Sequence, residues 1–181
     1  MRPWNVILTT RAGGGRAGAL LGAVRRLGEF HRAPFRNVLI GLVDDPDAFL
    51  DTLLAACEAK AGWAEGLMRT IPLERVFSFA PEDLVEQWSE SLPDFLDRMP
   101  GRASCFVRLE RRGLLGQLDS QAVERAVADR LFDLAEMRAI RLGVSFSDPD
   151  YIVLAETVGD ECGLALITRD VRARYPFVQV K

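Results

Sequence analysis

The sequence predicts an α+β protein made of two successive α/β-sandwich halves. Short β-rich runs alternate with segments whose apolar residues recur every three to four positions, and this cycle passes twice along the chain. At 181 residues and 49% hydrophobic, the chain can bury one sizeable core or two small ones. No low-complexity linker or internal repeat interrupts it, and a boundary is expected near residues 78–81, separating a half at 1–79 from one at 80–181.

In the first half, Trp4 to Thr10 reads as a strand that ends at Arg11 and the loop Gly13-Gly14-Gly15. A helix follows, with Leu20, Val24 and Leu27 at helical spacing, and Gly28 stops it. Phe35 to Val43 is the next strand. Asp44 and Asp45 then stand where a helix cap belongs, Pro46 opens the first turn, and Phe49, Leu53 and Ala56 or Cys57 form the apolar stripe. Met68 to Phe79 reads as a strand at an edge or bulge, because Pro72 lacks a ladder donor.

The second half opens with two short helices near 81–91 and 93–99, set by Ser78, Pro81 and the interrupting Pro93, and a turn follows at Pro100-Gly101. Ser104 to Arg111 is a strand with Cys105, Val107 and Leu109 on one face and Phe106, Arg108 and Glu110 on the other. Ser120 is the expected cap of the next helix, whose core stripe is Val123, Val127, Leu131 and Leu134. After Asp148-Pro149-Asp150, strands at Tyr151 to Val158 and Cys162 to Thr168 form a hairpin through Gly159-Asp160-Glu161.

The net charge of −3 is unevenly spread. Residues 1–36 carry seven basic and one acidic side chain, 37–97 three and thirteen, and 98–181 thirteen and twelve. Arginine supplies 21 of the 23 basic side chains, leaving Lys60 and Lys181; its planar fork suits phosphate contacts. Cys57, Cys105 and Cys162 are odd in number and each lies in an apolar stretch, as expected of buried free thiols in a reducing compartment. No run has the roughly 18 uncharged apolar residues of a membrane span, and the N-terminus lacks the apolar block of a secretory signal, so a cytoplasmic protein is expected.

No catalytic constellation stands out, and no metal or other cofactor is expected. His31 has no Cys or His neighbour at ligand spacing. Asp44, Asp45, Asp47 and Asp51 could suggest a cation site, but acids at a helix start are expected from capping and the helix dipole. The run Gly13 to Gly18 matches G-x-G-x-x-G between a strand and a helix, the context of a dinucleotide fingerprint, with Asp44 or Asp45 as the ribose acid. Those acids lie farther on than the ~20 residues the fingerprint wants, and the strand–helix units are too few for a doubly wound sheet. A milder role is a phosphate of RNA held at this helix start, flanked by Arg11 and Arg16.

The strand Phe106-Val107-Arg108-Leu109-Glu110-Arg111-Arg112-Gly113, the capped helix Ser120 to Leu131, Asp148-Pro149-Asp150 followed by Ile152, Val153 and Glu156, and the closing Cys162-Gly163-Leu164-Ala165-Leu166 together resemble a THUMP domain. The first half resembles the ferredoxin-like domain that precedes such domains. Leu8-Thr9-Thr10-Arg11 and Arg174-Tyr175-Pro176-Phe177 resemble most closely the stand-alone adaptor of tRNA cytidine acetylation. The resemblance implies a non-catalytic protein that binds tRNA and presents it to a separate modifying enzyme, with no methyltransferase, deaminase or PP-loop domain attached. The acidic segment 44–97 would then face a protein partner.

Phosphate contacts are expected from arginines around one electropositive patch. The candidates are Arg108, Arg111 and Arg112 at a strand end, Arg169, Arg172 and Arg174 after the last strand, and Arg11 and Arg16 beside the glycine loop. Tyr175 and Phe177 are read as packing residues before base-stacking ones.

Overall fold

The computed structural model describes residues 3–12, 15–99 and 101–180. The chain divides into two compact units, one comprising residues 1–76 and 172–180 and the other residues 77–171.

In the first unit, β1 (Val6–Thr10), α1 (Arg16–Val24), β2 (Glu29–Arg32), β3 (Val38–Leu42), α2 (Pro46–Glu58) and β4 (Leu67–Pro72) follow one another. The sheet order is β2-β3-β1-β4 and each pairing is antiparallel. This βαββαβ arrangement is the expected ferredoxin-like half. Leu20 and Val24 of α1 and Phe49, Leu50 and Leu53 of α2 are buried with Ile7, Leu39, Ile40 and Ile71 of the sheet. Leu27, expected on the α1 stripe, lies beyond the helix end and is 37% exposed. Ala56 and Cys57 are half-buried, so the α2 stripe narrows toward its C-terminus.

Sequence periodicity gives no sign of β2. Its four residues pair because Asn37, at φ 61°, turns the chain back to run beside β3. Phe30 lies against Gly41, where a Cβ would approach its ring to 2.2 Å, and stacks on Phe49 at 5.3 Å between centroids. The strand expected over Met68 to Phe79 is two strands, β4 and β5 (Arg75–Ser78), with Pro72 as the last residue of the first.

The second unit contains α3 (Leu84–Ser89), α4 (Leu92–Asp97), β6 (Arg102–Glu110), α5 (Ser120–Met137), β7 (Arg141–Val144), β8 (Tyr151–Val158) and β9 (Glu161–Thr168), followed by α6 (Arg169–Arg174). Its sheet order is β5-β9-β8-β6-β7; β6 runs parallel to β7 and β8, while β8 and β9 form an antiparallel hairpin. Gly159, at φ 66°, occupies the first position of the two-residue hairpin loop, where a left-handed conformation is needed. Cys105, Val107 and Leu109 of β6 join Val153, Ala155, Leu164 and Leu166 in the core beneath α5, together with Trp88 and Leu96 from the short helices. On α5 the stripe is Val123, Val127, Leu131 and Ala135; Leu134 is only partly buried. Pro100 of the expected Pro100-Gly101 turn lies outside the described residues.

Asp119, not Ser120, caps α5. Its Oδ1 accepts from the amides of Gln121 (3.0 Å) and Ala122 (3.2 Å), while the Ser120 hydroxyl accepts from Arg111 Nε at 3.3 Å. Two neighbouring residues can both cap, and the one with extended backbone does so. Asp119→Ala is therefore expected to cost about 1 kcal/mol and Ser120→Ala only a few tenths. Urea denaturation of both variants checks this, and the reverse ranking would contradict the cap.

Candidate nucleic-acid interface

The strands fix where the candidate arginines stand. Cys105 pairs with Tyr151 and Tyr151 with Thr168, so Arg169 emerges at the end of the sheet where β6 begins. Arg111 and Arg112 follow the other end of β6. At about 3.3 Å per residue, Arg169 and the pair Arg111 and Arg112 are on the order of 20 Å apart, so these three do not form one cluster.

Most of these guanidinium groups have carboxylates or carbonyls of their own. Arg112 pairs with the fully buried Glu156. Its amide donates to Thr157 Oγ1 at 2.8 Å and its carbonyl accepts from Gly159 at 3.0 Å, tying the end of β6 to the hairpin loop. Arg111 donates to the carbonyl of Gly113 at 2.8 Å. Arg108 lies 3.5 Å from Glu124 and 5.7 Å from the Phe106 ring centroid; Glu124 also accepts the Leu109 amide, covering β6 where β7 has ended.

Arg169 holds the Asp148-Pro149-Asp150 turn. It bonds Asp148 Oδ1 at 3.2 Å, the Asp148 carbonyl at 2.7 Å and Asp150 Oδ1 at 2.6 Å. Asp150 Oδ2 in turn accepts from the Ser104 hydroxyl and amide, both at 2.7 Å. These bonds, the hydroxyl first, hold the Asp150 carboxyl below its usual pKa, with Arg169 adding to the shift.

In the first unit, Arg174 pairs with Asp51 at 2.8 Å and lies over the Tyr175 ring. Tyr175 and Phe177 are buried, in keeping with their reading as packing residues. Desolvation, followed by the 2.6 Å bond to Asp51, pushes the Tyr175 phenol up to about 12. Arg172 is half-buried.

Arg11 and Arg16 are brought together by Gly66. The Arg11 amide donates to the Gly66 carbonyl at 2.9 Å, and a Cβ on Gly66 would stand 2.7 Å from the Arg16 carbonyl oxygen. A side chain at 66 would therefore displace the first turn of α1. Both arginines are exposed and line a cavity of about 820 Å³ together with Lys60, Met68, Phe177 and Gln179. Glu58 and Glu65 are also on its wall. Lys60 and Gln179 join this site although no motif in the sequence singles them out. Lys60, one of two lysines in the chain, was the available clue.

Charge separates the units in the same sense. Residues 1–76 and 172–180 hold twelve basic and eight acidic side chains, a net of +4, whereas residues 77–171 hold ten and eighteen, a net of −8.

Gly13 and Gly14 of the glycine run lie outside the described residues. Around the rest of that run, β1 is flanked by antiparallel neighbours, which do not form the parallel switch-point crevice of a dinucleotide site. Among the described residues no group of three or more His, Cys, Asp or Glu side chains is placed to hold a metal ion, and no helix is long and apolar enough to cross a membrane. Cys105 and Cys162 are buried and free as expected, whereas Cys57 is half-buried. Burial, aided by Asp150, pushes the Cys105 thiol up to about 11.

In comparison with known proteins, residues 92–166 match the family model of the THUMP domain. This module is associated with RNA binding in tRNA-modification enzymes. No curated protein sequence matches the chain. Among solved structures, the fold is similar to PH1313 from Pyrococcus horikoshii Ot3 (TM-score 0.62, 13% identity, 91% of this chain and 55% of that one). It is similar also to a 4-thiouridine synthetase solved as an RNA complex with bound ATP (0.61, 12%, 91% and 41%) and to TrmN from Thermus thermophilus (0.56, 15%, 89% and 44%). The chain thus spans about half the length of these proteins.

Proposed function

We propose that the protein is a non-catalytic, cytoplasmic RNA-binding adaptor that holds tRNA for a separate modification enzyme, as the cytidine acetylation adaptor would. The observation that carries this reading is the THUMP match over residues 92–166, preceded by a ferredoxin-like half. In this reading residues 1–79 and 80–181 act as the two functional halves. The phosphate contacts come from Arg11, Arg16, Arg108, Arg111, Arg172 and Arg174, while Arg112 and Arg169 hold the loops that present them. The acidic segment 44–97 faces the partner enzyme.

Because duplex RNA offers shape but few readable bases, binding should favour tRNA with an intact single-stranded end over blunt duplex of equal length. Competition in an anisotropy assay tests this. Equal competition by the two RNAs would reduce the reading to non-specific polyanion binding. Failure of both to bind would favour a second reading, a protein-interaction module, which the net charge of −8 over residues 77–171 supports.

A further inference from the structure

We infer that the cavity lined by Arg11, Arg16 and Lys60 takes one nucleotide of single-stranded RNA, its phosphate on the three cations and its base on the wall formed by Leu54 and Met68. The inference rests on the RNA-binding reading and gives it a site in the first unit.

At about 820 Å³, the cavity is within the range of roughly 300–1,000 Å³ typical of small-ligand sites. Its apolar wall includes Met68, which is 45% exposed although fully apolar. Over the three cations and two carboxylates the cavity has a net charge of +1, in a unit that is itself cationic. Arg112 and Arg169 of the second unit are by contrast engaged with carboxylates. Phosphate affinity depends on cations placed to displace the counterions condensed on the nucleic acid, and Arg11, Arg16 and Lys60 have no carboxylate within ion-pair distance among the described residues.

The backbone at Lys60 points the same way. α2 ends in a Schellman motif: the Lys60 amide donates to the Cys57 carbonyl at 3.1 Å and the Ala61 amide to the Ala56 carbonyl at 2.9 Å. Lys60 occupies the left-handed position, at φ 52°, that glycine would take without steric cost. A lysine held there against backbone preference lines the cavity, and conformational strain of this kind collects at ligand sites.

The consequence is that stability and binding should move in opposite directions. In the full chain, Lys60→Gly should raise Tm by about 2 °C, through relief of the left-handed strain. The same substitution should weaken binding of a short single-stranded oligoribonucleotide roughly tenfold, the loss of one charged contact. Lys60→Arg should retain the affinity, and Arg11→Gln with Arg16→Gln should lower it further. If the parent binds tRNA but Lys60→Gly binds the oligoribonucleotide as the parent does, the cavity is not the site and the RNA-binding reading stands. If weaker binding comes with a lower Tm, Lys60 has only a structural role and the inference fails. If the parent binds neither RNA, the RNA-binding reading itself fails.

Discussion

Arg112→Ala is expected to destabilise the protein by about 3–5 kcal/mol. Glu156 is fully buried, and the Arg112 side chain beside it is 17% exposed. Removing the guanidinium takes the Arg112 counter-charge away from a carboxylate held in the interior, and the desolvation cost then left exceeds the value of the intact pair. Glu156 also faces Cys162, whose thiol is pushed up by burial and further by this negative charge. Replacing both partners with apolar residues of similar volume should be far milder, because no charge is then stranded. At roughly 2–4 °C per kcal/mol for a chain of this size, the single variant should melt some 6–20 °C lower. Thermal melts of the single and double variants test the argument. A single variant that melts with the parent, or a double variant as unstable as the single one, would show that the pair is not desolvated.

Leu131→Ala is expected to cost about 2–5 kcal/mol, the lost transfer of a buried side chain plus the cavity it leaves. Leu131 is 0% exposed and packs among Val127, Trp88, Leu96 and Val107 in the core of the second unit. Leu134, three residues on, is only partly buried, so Leu134→Ala should cost clearly less. Denaturant unfolding of both variants checks the ranking. Equal losses would place the α5 stripe on Leu134 rather than Ala135.

The parts of the fold that are legible in the sequence are those whose signal is local. The α5 stripe and the β8–β9 hairpin around Gly159 follow from periodicity and turn chemistry over a few residues. β2 and β7 do not, because strands of four residues such as Glu29–Arg32 and Arg141–Val144 are defined by the partner they pair with, not by their own pattern. Leu27 lies off the helix for a related reason: its spacing continues the helical period past the point where the helix ends.

At the site, the residue types were legible and their surroundings were not. Arg112 and Arg169 read as phosphate ligands, and the carboxylates that the fold sets beside them, 44 and 19 to 21 residues away in sequence, are not legible. Arg11 and Arg16 meet through Gly66, a contact that only the folded chain makes.

If the protein binds tRNA through phosphate contacts, its affinity falls with rising salt. Each contact on single-stranded RNA contributes about −0.7 to the slope of log affinity against log salt. With three or more arginines engaged, tRNA anisotropy titrations at rising monovalent salt should therefore give a slope of about −2 or steeper. Affinity that does not change with salt, or no tRNA binding even at the lowest salt, would contradict it.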